Sequence, residues 1–199
     1  NRGIAKGDLK DYNGAILDYN KAIEINPNYA RAYLNRGNIK KDNLKDYYGA
    51  IADYTQAIEI NPNYAIAYNN SGIAKDDLKD YNGAILDYTK AIEINPNYAS
   101  AYYNRGIAKY DSKDSYGAIL DFTKAIENNP NNADAYYNRG IAKGDLKDYY
   151  VAIADYTKAI EINPNYTKAY VNRGIAKGGL KDYNKAISDY TKAIEINPN

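Results

Sequence analysis

Two rows of charged residues recur along the chain at positions where they could form specific ion pairs. An arginine stands directly before a glycine five times, and an aspartate precedes the central aromatic residue of six similar segments, such as AILDYTKAI. Arginine binds a carboxylate through two parallel hydrogen bonds, which favours pairing even when both groups are partly buried. We expect the two rows to pair; the simpler alternative is that both are solvated. The residues are Arg2, Arg36, Arg105, Arg139 and Arg173, and Asp18, Asp53, Asp87, Asp121, Asp155 and Asp189.

The composition excludes most other chemistry. The chain has neither cysteine nor histidine, so it offers no disulfide, thiolate nucleophile, imidazole base or usual zinc ligand set. The turns KDDLKD and KGDLKD lack the oxygen-ligand spacing of a calcium loop. A net charge of +1 gives no global field that would attract nucleic acid or an anionic membrane. We therefore expect no catalytic residue, no metal and no cofactor, and neither nucleic acid nor membrane as a partner.

Six prolines divide the chain into similar pieces. They are separated by 35 residues once and by 34 residues four times, at Pro27, Pro62, Pro96, Pro130, Pro164 and Pro198. A period of this length is typical of helical repeat arrays. The single longer period comes from one extra residue in KKDNLKD, which indicates a loop at that place.

One period, residues 65–98, predicts two helices joined by a tight turn. In residues 84–92 the apolar residues follow helical spacing, Asp80 is a suitable N-cap, and the Asn95–Pro96 pair ends the helix. The preceding helix starts after a proline and ends in the polar turn KDDLKD. Its packed side carries Ala67, Tyr68, Gly72 and Ala74.

This pattern resembles the tetratricopeptide repeat family over the whole chain. The family has an aromatic residue early in the first helix and a small residue four positions later. It also has a small residue, an aromatic residue and an alanine in the second helix, as in Ala84, Tyr88 and Ala91. The early aromatic residues are Tyr33, Tyr68, Tyr102, Tyr136 and Tyr170, and the small residues are Gly37, Gly72, Gly106, Gly140 and Gly174.

The resemblance implies an all-α fold, a right-handed superhelical solenoid of about six helix-turn-helix repeats with about twelve helices. A glycine facing an alanine of the second helix lets the two axes approach closely, and aromatic rings fill the space left beside them. We expect a single domain over residues 1–199. Its repeats would span residues 1–29 (partial), 30–64, 65–98, 99–132, 133–166 and 167–199.

The resemblance also implies a binding surface on the concave face, where an asparagine row in several relatives holds a peptide backbone. An amide has donors and an acceptor together, so it matches a peptide group whatever the side chain. The alternative is that asparagine is the default polar residue there. The row is Asn35, Asn70, Asn104, Asn138 and Asn172, with Asn1 in the partial repeat, and the anchor candidates beside it are Tyr103 and Tyr137.

Two departures from the family pattern bear on the ligand. Asparagine replaces the arginine that the family's carboxylate clamp needs, which disfavours an acidic tail. Part of the groove is apolar because of Ile73, Ile107, Ile141 and Ile175. Where the family often has a second aromatic residue, three positions after the glycine, this chain has Lys75, Lys109, Lys143 and Lys177. We expect these lysines to weaken the packing between first helices; the alternative is that Tyr81, Tyr149 and Tyr183 take over this packing.

The sequence thus predicts a non-catalytic interaction scaffold that binds a peptide or protein segment in its groove. The alternative is a structural protein whose arrays stack head to tail into a filament, in an extracellular and glycosylated form. Near-identical repeats favour the filament, because alternate sides of one module are complementary. Variation along the groove rows favours the scaffold.

Overall fold

A computed structural model of the chain describes residues 2–198, which leaves the predicted row member Asn1 outside. In the described part the chain forms twelve α-helices and no strand. They belong to two compact units, an N-terminal unit of residues 1–96 and a C-terminal unit of residues 97–199. The helices of the N-terminal unit are α1 (Arg2–Asp8), α2 (Tyr12–Ile25), α3 (Ala30–Asp42), α4 (Tyr47–Ile60), α5 (Ala65–Asp77) and α6 (Tyr81–Ile94).

The C-terminal unit repeats the same arrangement, so that odd-numbered helices are the first and even-numbered helices the second of each pair. Within each unit, every helix packs against the next one along the chain, and neighbouring first helices also touch. The helices are α7 (Ala99–Asp111), α8 (Ser115–Asn128), α9 (Ala133–Asp145), α10 (Tyr149–Ile162), α11 (Thr167–Gly179) and α12 (Tyr183–Ile196). The predicted fold class, an all-helical tetratricopeptide-type solenoid, is confirmed.

An aspartate starts almost every second helix by capping it. The carboxylate of Asp80 accepts a hydrogen bond from the backbone nitrogen of Gly83 at 3.0 Å, which satisfies one of the free donors at the helix start. A Cβ atom on Gly83 would lie 2.2 Å from that carboxylate, so glycine leaves room for the cap. In α10 the corresponding residue is Val151, and there Asp148 makes no side-chain capping bond.

A left-handed residue ends each first helix. In every repeat a lysine after the helix has a positive φ, as Lys147 does at 63°. Its backbone nitrogen bonds to the carbonyl of Gly144, and that of Asp148 bonds to the carbonyl of Lys143. These bonds satisfy carbonyl groups at the helix end and reverse the chain, so that the next aspartate stands ready to begin the second helix.

The core of each helix pair is an aromatic ring pressed against a glycine. The rings of Tyr54, Tyr88 and Phe122 are at most 1% exposed. A Cβ atom built on Gly72 would lie 2.6 Å from the Tyr88 ring, and one on Gly106 would lie 2.7 Å from the Phe122 ring. Only glycine therefore allows the first helix to lie so close to the second.

None of the described helices is long and apolar enough to cross a membrane.

We predict that Gly140→Ala destabilises the protein and that Gly144→Ala on the same helix does not. A Cβ atom at Gly140 would lie 2.7 Å from the Tyr156 ring, whereas at Gly144 its nearest neighbour is the Tyr156 hydroxyl at 3.5 Å. Overpacking of this kind costs about 1–3 kcal/mol, and alanine in open helix positions gains up to about 1 kcal/mol. Urea denaturation of both variants would test this. Equal midpoints would show that the ring yields to the new methyl group.

Candidate functional site

The predicted arginine–aspartate pairs are present, which confirms that interpretation of the two rows. In the C-terminal unit, Nε and Nη2 of Arg139 donate to the two carboxylate oxygens of Asp155 at 3.0 and 2.6 Å. Asp155 itself is 4% exposed, so the bridge is largely shielded from water. The same bidentate bridge joins Arg2 to Asp18, Arg36 to Asp53, Arg105 to Asp121 and Arg173 to Asp189.

The repeated lysines share these aspartates, a role that the sequence analysis missed. Nζ of Lys143 lies 3.2 Å from the Asp155 carboxylate, one turn along α9 from Arg139. In one repeat Ser71 replaces the arginine before the glycine. Asp87 of that repeat still has a cation, because Nζ of Lys75 lies 2.6 Å from its carboxylate. Burial raises the pKa of Asp189, but its hydrogen bonds with Arg173 and Lys177 outweigh burial, and the net pKa is below the ordinary value. Each of these carboxylates is therefore paired with at least one cation of its own first helix.

The arginines also join neighbouring repeats. Nη1 of Arg139 donates to the hydroxyl of Thr123 on the preceding second helix at 3.1 Å, and Arg173 makes the same bond to Thr157 at 3.0 Å. The guanidinium of Arg139 also lies 5.6 Å from the centre of the Tyr136 ring, within the range of a cation–π contact. Arg139 and Arg173 thus each connect two neighbouring helix pairs.

In the C-terminal unit the asparagine row donates to tyrosine hydroxyl groups of the preceding repeat. Nδ2 of Asn138 donates to Tyr103 at 2.9 Å, and Nδ2 of Asn172 donates to Tyr137 at 3.0 Å. The side-chain oxygens of Asn138 and Asn172 accept no hydrogen bond from the described part of the chain. Asn104 occupies the same row on α7 and is half-buried. Asn138 and Asn172 therefore each support the fold through Nδ2 and keep the side-chain oxygen as a hydrogen-bond acceptor.

In the N-terminal unit the row makes different contacts. Nδ2 of Asn70 donates to Asn38 at 2.9 Å, and its oxygen accepts from Asn69 at 3.2 Å. Burial raises the pKa of Tyr19, and a hydrogen bond with Asn35 opposes that shift. Because its donor and acceptor are both used internally, Asn70 is less able than Asn138 to bind a peptide group.

The two anchor candidates are half-buried rings rather than exposed ones, and their hydroxyl groups bond to the next repeat. Tyr103 packs against Phe122 with ring centres 6.0 Å apart, and Tyr137 packs against Tyr166 at 4.9 Å. Burial raises the pKa of Tyr103 to about 12, with a further increase from the charge of Asp134 and a decrease from the Asn138 hydrogen bond. Their role as ligand anchors stays a prediction.

Two equivalent pockets lie beside this row in the C-terminal unit. The first, about 190 Å³, is lined by Ile107, Tyr110, Asp111, Phe122, Asn138 and Ile141. The second, about 360 Å³, lies one repeat further on and contains the corresponding Ile141, Gly144, Asp145, Tyr156, Asn172 and Ile175. Each pocket thus combines two isoleucines, one asparagine and one aspartate. The aspartates escaped the sequence analysis, although their signal, an acidic last residue in successive first helices, has the same period as the prolines.

Comparison with known families and structures agrees with this architecture. Models described as tetratricopeptide or TPR repeat match residues 7–43, 30–64, 77–113, 99–132, 133–166 and 167–199. No curated protein sequence matches the chain.

Solved structures show the same fold. A MamA crystal structure is 30% identical, with a TM-score of 0.78, over 81% of this chain and 94% of MamA. YrrB, described as a TPR protein with an unusual peptide-binding site, is 24% identical over 91% of this chain and 93% of its own, with a TM-score of 0.78. PilF of Pseudomonas aeruginosa is 18% identical over 99% of this chain and 89% of its own, with a TM-score of 0.84. The last two similarities concern the fold alone.

We predict that Asp155→Asn destabilises the protein more than Asp87→Asn does. The first change leaves both Arg139 and Lys143 without a counter-charge, at a cost of about 3 kcal/mol. The second leaves only Lys75, which is more exposed and can regain water, so we expect about 1 kcal/mol. Chemical denaturation of the two variants gives the comparison. A larger loss for Asp87→Asn would contradict the shared role of arginine and lysine.

We also predict that alkali unfolds the protein partly through its tyrosines. A raised pKa in the folded state means that the neutral form is favoured, so this stability is complete below pH 10 and is lost as the pH rises through about 12 for Tyr103. Circular dichroism and tyrosinate absorbance should change together in that window. Tyr103→Phe should move the unfolding midpoint to higher pH, and an unchanged midpoint would count against burial of this hydroxyl.

Proposed function

Because the chain belongs to the tetratricopeptide repeat family, we propose that it is a non-catalytic interaction scaffold that binds a peptide or protein segment. The binding surface is the side of α7, α9 and α11 that carries Asn104, Asn138 and Asn172 together with the two pockets. We name this surface the amide face. The observation that carries the proposal is the pair of equivalent pockets, each with apolar walls and an asparagine that keeps a hydrogen-bond acceptor.

The amide face divides recognition between backbone and side chains. The side-chain oxygens of Asn138 and Asn172 receive backbone N–H groups of an extended segment, because an amide acceptor does not depend on the ligand's side chain. Ile107, Ile141 and Ile175 form the apolar walls on which its side chains rest. Tyr103 and Tyr137 hold the two asparagines in place through their hydroxyl groups and border the surface.

Asn35 and Asn70 are the proposed contact residues of the N-terminal unit, taken by itself. In this unit Asn70 bonds to other amides instead of a tyrosine hydroxyl group, through Asn38 and Asn69. A segment bound to Asn70 competes with these internal hydrogen bonds, so we expect this unit to bind more weakly than the amide face does.

A peptide library displayed against the immobilised chain tests this proposal. We expect enrichment of sequences by the wild type and its loss in Ile141→Thr, which changes a wall shared by both pockets. Val151→Thr, a substitution of the same chemistry on partly exposed α10 surface outside both pockets, should keep the enrichment. Equal enrichment by all three proteins would place binding elsewhere, and no enrichment by the wild type would refute a peptide ligand.

A second candidate function is head-to-tail stacking of chains into a filament. The observation that favours it is the apolar face of α12, where Ile187 is 61% and Ile194 63% exposed. Ile126 and Ile160, which correspond to Ile194 in the earlier repeats of the same unit, are each 9% exposed against the next repeat. A second copy stacked on α12 would bury this surface in the same way.

Molecular mass measured against concentration distinguishes the two candidates. If stacking occurs, the mass of the 199-residue chain rises with concentration and Ile194→Asp keeps it monomeric. Asp at this exposed position places a charge in the proposed interface without disturbing buried packing. A wild-type chain that stays monomeric at high concentration would eliminate the filament and leave the scaffold.

A further inference from the structure

Each of the two pockets of the amide face holds a carboxylate that forms no ion pair with a described residue. Asp111 closes the first pocket and Asp145 the second, and both are exposed. Among the described residues neither aspartate forms an ion pair. Asp145 accepts a hydrogen bond from the Tyr110 hydroxyl, which lines the first pocket and so joins it to the second.

The cations of the first helices are bound elsewhere. On α7, α9 and α11 the arginines and all but one lysine form ion pairs with Asp121, Asp155 and Asp189 of the second helices. Within the described part of these three helices, Lys168 is the one cation that forms no such pair. The same helices carry three carboxylates, Asp111, Asp134 and Asp145. Each bridge holds an arginine and a lysine on one aspartate, so the bridges do not make the first helices negative as a whole. The carboxylates of Asp111 and Asp145 are instead the local negative charges at the two pockets.

The turns that follow the first helices add no net charge. Apart from Asp111 and Asp145, residues 110–114, 144–148 and 178–182 contain three aspartates and three lysines. The negative charge at the pockets is therefore that of Asp111 and Asp145 themselves, which attracts positive groups and repels acidic ones.

The pocket walls select among positive groups. Two isoleucines and an aromatic residue, Phe122 or Tyr156, form each apolar wall, and the carboxylate lies at one end. Lysine and arginine have this shape, with an apolar stem and a charged head that seeks a polar partner. No group of three side chains suited to hold a metal ion occurs among the described residues, so a bare cation is a poor fit.

We propose that the amide face binds an extended basic segment, with two lysine or arginine side chains entering the two pockets and placing their charged groups against Asp111 and Asp145. This inference rests on the proposed peptide-binding function and names its partner class. The pockets are one repeat apart, and helices packed side by side lie about 8–10 Å apart. An extended segment in the polyproline II conformation rises about 3.1 Å per residue with three residues per turn, so two basic residues three positions apart lie on the same side at about the required distance.

Synthetic peptides with two arginines at varied spacing, in a background of alanine and isoleucine, test the proposal. Fluorescence anisotropy with the whole chain should give the tightest binding at a spacing of about three residues. Asp111→Asn plus Asp145→Asn should weaken that peptide about tenfold or more and leave a peptide without arginine unaffected. The matched control is Glu127→Gln plus Glu161→Gln, which removes the same charge from exposed residues outside both pockets.

Charge reversal supplies a second test that a poorly folded variant could not pass. Asp111→Lys plus Asp145→Lys should bind the peptide in which glutamates replace the arginines, and should lose the arginine peptide. Equal weakening by the Glu127 and Glu161 control, or affinity independent of spacing, would reduce the effect to net charge and overturn the proposal. If neutral apolar peptides bind and the aspartate variants change nothing, the basic partner is refuted while the peptide-binding function stands. If none of the peptides binds, both fail.

Discussion

The close contact between a glycine of the first helix and an aromatic ring of the second is the constraint on which the rest of the structure depends. It sets the distance between the two helices of a pair, since a methyl group at Gly72 would already lie 2.6 Å from the ring of Tyr88. The residue directly before the glycine and the residue directly before the ring are then held opposite each other. In most repeats these are arginine and aspartate, as in Arg139 and Asp155, and their bidentate bridge follows from the spacing that the glycine permits.

The buried bridge does more than join two helices of one repeat. Arg139 also reaches Thr123 of the preceding second helix and lies over the ring of Tyr136, so one side chain connects two helix pairs. A guanidinium suits this role because its five donors are fixed in a plane and can serve a carboxylate and a hydroxyl at once. The lysine one turn later supplies the second positive charge to the same carboxylate. Asp87, which faces Ser71, shows that the lysine alone can hold the aspartate in place.

The sequence was sufficient for the features that repeat with a clear steric reason. Helix pairing and the Arg–Asp bridges follow from residue size and charge at a fixed period. The Tyr88 ring as the nearest neighbour of Gly72 was not predicted, because the pattern placed an alanine opposite the glycine and the ring beside it. The ion-pair partner of Lys143 could not be predicted, because its long flexible side chain can reach several carboxylates and only the packed structure selects Asp155. The contacts of Asn138 were equally hidden, since its partner Tyr103 lies 35 residues away and a leucine or valine stands in that row in other repeats.

The contacts that stabilise the helix pairs also determine which side chains remain exposed and able to bind a partner. Glycine, the buried aromatic residue, arginine, lysine and the bridged aspartate are fixed by packing, so changes there alter stability before they alter binding. The remaining side of α9 carries Asn138, Ile141 and Asp145, whose contacts among the described residues leave an acceptor, an apolar wall and a charge exposed. The arginine and the lysine of the same helix are bound to Asp155, so neither of them pairs with Asp145. The proposed preference of the pockets for a positive group therefore depends on the same bridges that stabilise the fold.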